Sequence, residues 1–374
     1  MTERTRFSRS RWGLALAIAM LAATAGRGGS RAIVEVSTAQ TSMNPTIGES
    51  VPLTVRLARD GAVTVRVVDR DGYPVRTLAG AAAAKAGENR WTWDGRDAAG
   101  RIVPDEAYSF RVDWSSGAER ETWFPADTPA HPVSVDAEYY ASRSGAIVYT
   151  LPVPSRVHLQ AGTARKNPKT GEMEGPVLKT VVNREPRDRG RIAEPWSGLD
   201  ESGQVRIADM RDFVLAIAAT PLPANSVVTF GNRERAFAEA ALTRTGTSLL
   251  TPRPKGSHHA GLTVLEDLSP AMSIEALNGS WSAEERAWTV QGRTLRLRVS
   301  LSGPSASTFA AQKGELHRFV DGRLVSTTRR PSSFPSIVEV PLPPAEGVRN
   351  VSLNWESEFG AVAANTIRVR GAGR

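Results

Sequence analysis

The 374-residue chain contains no cysteine. Disulfides, thiolate metal sites, a cysteine nucleophile and a lipidated N-terminal cysteine are all excluded. Histidine is scarce: His131, His158, His258, His259 and His317 are the only five. None sits in the HExxH spacing of a zinc protease, and G-x-S-x-G, P-loop and G-x-G-x-x-G motifs are missing. No cofactor is expected, and the chain reads as non-enzymatic. Long runs of one charge sign are missing too. The formal net charge is +8, and four arginines against one glutamate in the first 25 residues leave about +5 for the rest. Without a basic stripe, nucleic-acid binding is not expected.

Long apolar runs are also lacking, save one. Arg4, Arg6, Arg9 and Arg11 precede Gly13–Ala25, an uncharged apolar stretch that closes on Ala23-Thr24-Ala25. A basic start, a short apolar centre and a small-x-small end form an export signal. The run is shorter than the ~20 residues that a membrane-spanning helix needs. Cleavage is expected after Ala25, with Ala32 as the alternative. No transmembrane segment then remains, and the protein is expected to be periplasmic, at the cell surface or secreted, through the general secretory route of a bacterium.

What the chain does have is period-two alternation. Leu53, Val55 and Leu57 alternate with Thr54 and Arg56; Tyr108, Phe110 and Val112 with Ser109 and Arg111; Leu295, Leu297 and Val299 with Arg296 and Arg298. One apolar and one polar face mark antiparallel sheets with one side in water. Two such sheets cover each other as a sandwich. Turn signals such as Asp71-Gly72, Asp94-Gly95 and Asp321-Gly322 separate the strands. Helical periodicity appears only at Arg233–Leu242.

The chain repeats itself. Trp93–Gly100 (WDGRDAAG) aligns with Trp196–Gly203 (WSGLDESG), and Tyr108, Phe110 and Val112 align with Phe213, Leu215 and Ile217. Val75–Leu78 aligns with Leu178–Val181, and the second copy carries a longer hairpin at Gly162–Gly175. Asp69–Leu78 (DRDGYPVRTL) and Trp93–Tyr108 (WDGRDAAGRIVPDEAY) resemble the immunoglobulin-like domain of the flagellar hook-capping protein, the FlgD Ig-like family. The second copy departs from that pattern at Ser197 and lacks the proline equivalent to Pro104. The resemblance implies an immunoglobulin-like fold and an extracytoplasmic place. It implies no hook role, because the hook protein leaves by the flagellar export apparatus and this chain begins with a secretory leader.

The expected architecture is all-β: tandem immunoglobulin-like antiparallel β-sandwiches. A signal peptide at 1–25 and a linker at 26–44 precede a first sandwich at 45–115. A linker at 116–134, a second sandwich at 135–232 and a linker at 233–257 follow. A third sandwich of immunoglobulin or fibronectin type occupies 258–374.

Four groups of residues are candidates for a role. Asp69, Asp71, Asp94 and Asp97 surround two glycine turns, where oxygen ligands suit Ca²⁺. D-x-D-G alone lacks the rest of a calcium loop, and aspartate caps turns by accepting from its own backbone, which is the favoured reading. Trp93, Tyr108, Trp196 and Phe213 occupy matching places and are expected in the cores. Trp91, Trp114 and Trp123 form a belt near the first interdomain segment, read as an interdomain contact or a sugar platform, with the contact favoured. Trp281 and Trp288 flank an acidic turn and suit one hairpin's cross-strand pair. The expected function is structural or adhesive, with a protein or an envelope glycan as partner. A carbohydrate-binding protein and an accessory subunit of an exported complex are the alternatives.

Overall fold

The computed structural model describes residues 31–371 apart from 129, 141–144, 167–170, 172, 252–268, 304–305, 311, 330–332, 345 and 358–361. The predicted signal peptide and the His258-His259 pair lie outside the described residues. The described chain is nearly all strand, arranged as sheets that face one another around three separate apolar cores.

In the first sandwich, β1 (Ile33–Thr38), β3 (Val51–Leu57) and β6 (Gly87–Trp93) form one sheet. The facing sheet runs in the order β2 (Ser42–Met43), β18 (Val227–Thr229), β7 (Ala107–Ser116), β4 (Gly61–Val68) and β5 (Pro74–Ala84), and β8 (Glu119–Trp123) also pairs with β7. The alternating residues do what their period predicts: Leu53, Val55, Leu57, Val63, Val65, Val67, Phe110 and Val112 all face the core.

The boundaries need three corrections. The expected linker at 26–44 contains β1 and β2, and Ala32 and Ile33 are core residues. A register shift between Ile33 and Glu35 breaks the alternation there, which hides the strand. The expected linker at 116–134 contains β8 and also β9 (Val133–Ser134). Finally, Val227–Thr229 is not part of the second sandwich, and residues 231–251 are not a free linker. They lie along the first sandwich, with α1 (Phe237–Leu242) at the predicted helical stretch.

The second sandwich pairs a sheet of β10 (Ala137–Tyr140), β11 (Ala146–Leu151) and β16 (Gly190–Pro195) with one of order β15, β12, β17, β9. There β12 is Ser155–Thr163, β15 is Val177–Arg187 and β17 is Phe213–Pro221. The longer hairpin carries the short pair β13 (Arg165–Lys166) and β14 (Met173–Glu174). Strand by strand, this is the plan of the first sandwich. The agreement reaches the backbone: left-handed φ angles at Ala81, Gly87, Gly95 and Gly100 recur at Arg184, Gly190, Gly198 and Gly203, at one constant spacing in sequence.

In the third sandwich, β19 (Ala271–Ala276), β22 (Thr294–Ser302) and β25 (Ser336–Pro341) face a six-stranded sheet. Its order is β20 (Gly279–Ser282), β21 (Ala287–Val290), β27 (Val362–Gly371), β26 (Val348–Ser357), β23 (Gly314–Val320) and β24 (Arg323–Arg329). A short helix, α2 (Ala306–Ala310), sets Phe309 against Trp355 in the core. Asp321 and Gly322 both take left-handed φ between β23 and β24, as the two-residue hairpin turn requires.

Candidate functional site at the junction of the first two sandwiches

Two deeply buried charged groups meet where the first two sandwiches touch. Glu106 precedes β7 and is 3% exposed; Arg156, on β12 of the second sandwich, is 5% exposed. The two form a fork-on-fork pair, with Arg156 Nη2 2.5 Å from Glu106 Oε1 and Nη1 3.1 Å from Oε2. Arg156 Nη1 also donates to the Arg184 carbonyl at 2.9 Å, at the left-handed bulge of β15. Arg70 of the first sandwich adds a second guanidinium 3.5 Å from Glu106 Oε2. Glu106 accepts from the Ala107 amide at 2.6 Å. Burial works to raise the Glu106 carboxyl, but the charges of Arg156 and Arg70 hold it below the usual carboxylate range. Planar, bidentate pairing is what allows an arginine to be buried with a carboxylate.

Neutral groups extend the seam. Thr41 and Ser42 donate to Asp188, in the turn between β15 and β16, at 3.0 and 2.9 Å. The second and third sandwiches are joined by an amide. Asn354 Oδ1 accepts from the Val177 amide at 2.9 Å while Nδ2 donates to the Val177 carbonyl at 2.6 Å. The Asn354 side chain thus satisfies both backbone groups of one residue of β15, much as a neighbouring strand would.

The aspartates of the two glycine turns are occupied. Asp69 Oδ1 accepts from the Asp71 and Tyr73 amides, each at 2.9 Å. Arg244 spans Asp69 and Asp71, at 2.7 Å from each. Burial, ahead of the opposing Arg244 charge, pushes the Asp69 carboxyl up to about 6. Asp94 accepts from the Arg96 amide, and Asp97 from those of Ala99 and Arg101. Asp97 also pairs with the Arg101 guanidinium at 2.9 Å. Asp200 repeats the Asp97 cap in the second sandwich, accepting from the amides of Gln204 and Val205. Among the described residues, no group of three or more His, Asp or Glu is arranged to hold a metal ion.

The aromatic residues sort differently from the reading by spacing. Trp93 is fully buried, edge-on to Tyr108 at 5.2 Å, and its Nε1 donates to the Arg96 carbonyl. Trp196 donates in the same way to the Leu199 carbonyl and stacks on Phe213 at 5.8 Å. The belt of Trp91, Trp114 and Trp123 gathers on the core of the first sandwich. Trp114 is a core residue of the first sandwich, and Trp91 and Trp123 pack against the same core. Its place is set by β7, which runs to Ser116, so Trp114 continues the inward series Tyr108, Phe110, Val112. Trp281 and Trp288 are the cross-strand pair of β20 and β21, 5.7 Å apart, and Trp281 remains 47% exposed.

The strand plan, the buried tryptophan and the capped turn now stand beside known proteins. Residues 41–118 match the family model of the FlgD Ig-like domain. The matched segment spans β2 to β7 and includes Trp93, Tyr108 and Glu106. A comparison with curated protein sequences returned no match. Among solved structures, the chain is similar to the fibronectin(III)-like modules of Clostridium thermocellum CbhA, at 8% identity and a TM-score of 0.21 over 91% of this chain and 95% of that one. It is also similar to a tetra-tandem repeat in the extending region of a large adhesion protein, at 12% identity and a TM-score of 0.20 over 91% of this chain and 74% of that one. The fold itself is read from the strand order and the paired sheets.

Glu106, Arg156, Arg244 and Asn354 were not singled out by sequence. Each stands where a polar residue is expected of an exposed strand, turn or linker; contacts with groups far away in sequence bury Glu106, Arg156 and Asn354 and seat Arg244 on Asp69 and Asp71.

Proposed function

We propose that the chain is an exported, non-enzymatic structural or interaction protein of the bacterial envelope, in which immunoglobulin-like sandwiches act as one stiff body rather than as beads on linkers. In this reading the second sandwich is a second copy of the matched domain. The observation that carries the proposal is the Arg156–Glu106 pair, buried across the first seam, with the Asn354 amide performing the same service across the next. Charges and amides invested in such seams fix the relation of neighbouring domains, which a freely jointed chain does not need. Cleavage after Ala25 suits this reading, because it leaves Ala32 in place: the Ala32 amide donates to Glu121 at 2.6 Å, and its carbonyl accepts from Ala58. The test has two arms. N-terminal sequencing of exported protein is expected to find the chain starting just after Ala25, and a start at Met1 ends the export claim. Distances between spin labels on adjacent sandwiches are expected to be narrowly distributed and to broaden in Asn354→Ala and Glu106→Ala. Broad distributions in the unaltered protein rule out the stiff body.

One observation favours a second reading. Trp281 presents nearly half of its surface to solvent beside Trp288, as a ring that stacks on sugars does. Binding on a glycan array that vanishes in Trp281→Ala supports it, and an empty array removes it.

A further inference from the structure

The first sandwich contains a strand that does not belong to its own stretch of chain. In the third sandwich, β21 lies directly against the last strand, β27, in parallel. In the first, β2 occupies the outer parallel position, but its neighbour is β18, and β18 in turn runs antiparallel to β7. A strand that follows the whole second sandwich has entered between β2 and β7. Its backbone is bonded on both sides. The Val228 amide donates to the Thr41 carbonyl at 2.8 Å, and the Thr229 amide to the Glu106 carbonyl at 2.8 Å. Val227 is fully buried in the first core, and Thr229 Oγ1 donates to the Pro104 carbonyl and accepts from the Glu106 amide. Ser226 meets Ser109, hydroxyl to hydroxyl, at 2.9 Å.

The segment continues along the same sandwich. Asp105 accepts from the Gly231 and Asn232 amides at 2.9 and 2.8 Å. Arg244 fills the Asp69–Asp71 seat and lies 3.9 Å over the Tyr73 ring. The Leu249 amide donates to the Gly72 carbonyl. A Cβ on Gly72 would stand 2.6 Å from Leu250 Cγ, so only glycine admits the segment there. Thr251 closes the run on Asp127, by amide at 2.8 Å and hydroxyl at 2.6 Å.

We propose that the first sandwich is a strand acceptor and that residues 226–251 are its donor, held in cis. The slot between β2 and β7 takes an extended peptide by backbone pairing, with pockets for an apolar side chain and a threonine, and the Asp69–Asp71 seat takes an arginine further along the same peptide. Because the donor follows the second sandwich, that sandwich becomes an insertion closed at both ends. The covalent tether only raises the donor's effective concentration; the contacts themselves are those of a bound peptide.

The test uses the full chain with a protease site inserted between Pro223 and Ala224, where Ala224 is exposed. After cleavage under native conditions, the two fragments are expected to co-elute with the mass of one chain. In the cleaved Val228→Asp, Arg244→Glu double variant they are expected to separate. The N-terminal fragment of that variant is then expected to bind a synthetic peptide of residues 226–251 at one to one, and to ignore the peptide carrying both substitutions. Three results overturn the proposal. Fragments of the unaltered sequence that separate show that the slot holds nothing. Variant fragments that stay together place the hold at the Asn354 seam instead. A particle of two chains shows that the donor comes from a second copy.

Discussion

Beside the start of β7 in the first sandwich, at Ala107 and Tyr108, lies a strand from beyond the second; in the second, β9 (Val133–Ser134) pairs with β17 near its end, at Ala218 and Ala219, the place that β8 takes along β7. The two sandwiches otherwise share strand order, the left-handed bulge at Ala81 and Arg184, and a tryptophan whose Nε1 donates to the carbonyl three residues on. Their aromatic boxes differ as the edges do. Trp93 meets Tyr108 and Phe110 of one strand, whereas Trp196 meets Phe213 of β17 and takes its third ring, Tyr139, from β10 in the other sheet, the one that Trp196 itself follows. A shared plan therefore leaves free which piece of chain completes an edge or fills a corner of the core, provided that the backbone is paired and the volume is filled.

The largest effects should come from the two tryptophans. Trp93→Ala is expected to cost the first sandwich about 3–5 kcal/mol, the usual cost of emptying an aromatic core site. Trp196→Ala is expected near the lower end of that range, since Trp196 is already 5% exposed. Chemical denaturation followed by fluorescence measures both, and with separate cores the double variant should be additive. A Trp93→Ala protein with unchanged stability would break the comparison, by showing that the two boxes do not play the same part.

Glu106→Ala comes next, at about 3 kcal/mol, because it strips the partner from a buried guanidinium. A double-mutant cycle with Arg156→Ala isolates the seam. Coupling of about 1 kcal/mol or more is expected, and a value near zero would mean that the two sandwiches are joined in some other way.

A smaller change sharpens the contrast between the boxes. The Tyr108 hydroxyl donates to the Pro104 carbonyl at 2.9 Å, a corner that Phe213 cannot make. Tyr108→Phe gives the first sandwich the ring that the second already has, and should cost about 1 kcal/mol in the same denaturation assay. No cost would make the corner ornamental.

The smallest effect separates the sandwiches by sign. Burial pushes Asp69 up to about 6, above its ordinary value of 3.8. Its contribution to the stability of the first sandwich is complete below 3.8 and is lost as pH rises through 6. Burial, with the nearby Arg184 charge, pushes His158 of the second sandwich down to about 4 from 6.5. Its contribution is complete above 6.5 and is lost as pH falls toward 4. Lowering the pH from 7 to 6 should therefore stabilise the first sandwich and destabilise the second, each by roughly half a kcal/mol. Unfolding curves of Asp69→Asn and His158→Gln across that range should each lose one of the two slopes. Slopes of the same sign in the unaltered protein would refute the assignment.

Much of this was legible in the chain, for reasons that differ by residue. Tyr108, Phe110 and Val112 announce a strand because alternate residues share a face, and Asp97 and Asp200 announce capped turns because their partners lie within a few residues. Trp281 and Trp288 could be paired because one tight turn separates them. Trp114 stands next to the expected linker at 116–134, yet the alternation that puts Val112 inside carries on to it, because β7 runs to Ser116. Val227-Val228-Thr229 reads as a strand from its β-branched residues, but three residues hold no period that could name a partner. By itself the sequence determined the all-β class, the sandwich cores and the turn chemistry, since each rests on interactions within a few residues or on the division of a strand into two faces. Only the tertiary structure decided that β18 enters the first sandwich, that Arg244 fills the seat between two aspartates, and that Glu106 and Arg156 are buried together. Those choices depend on groups far apart in the chain, whose desolvation and pairing exist only once the sandwiches are packed.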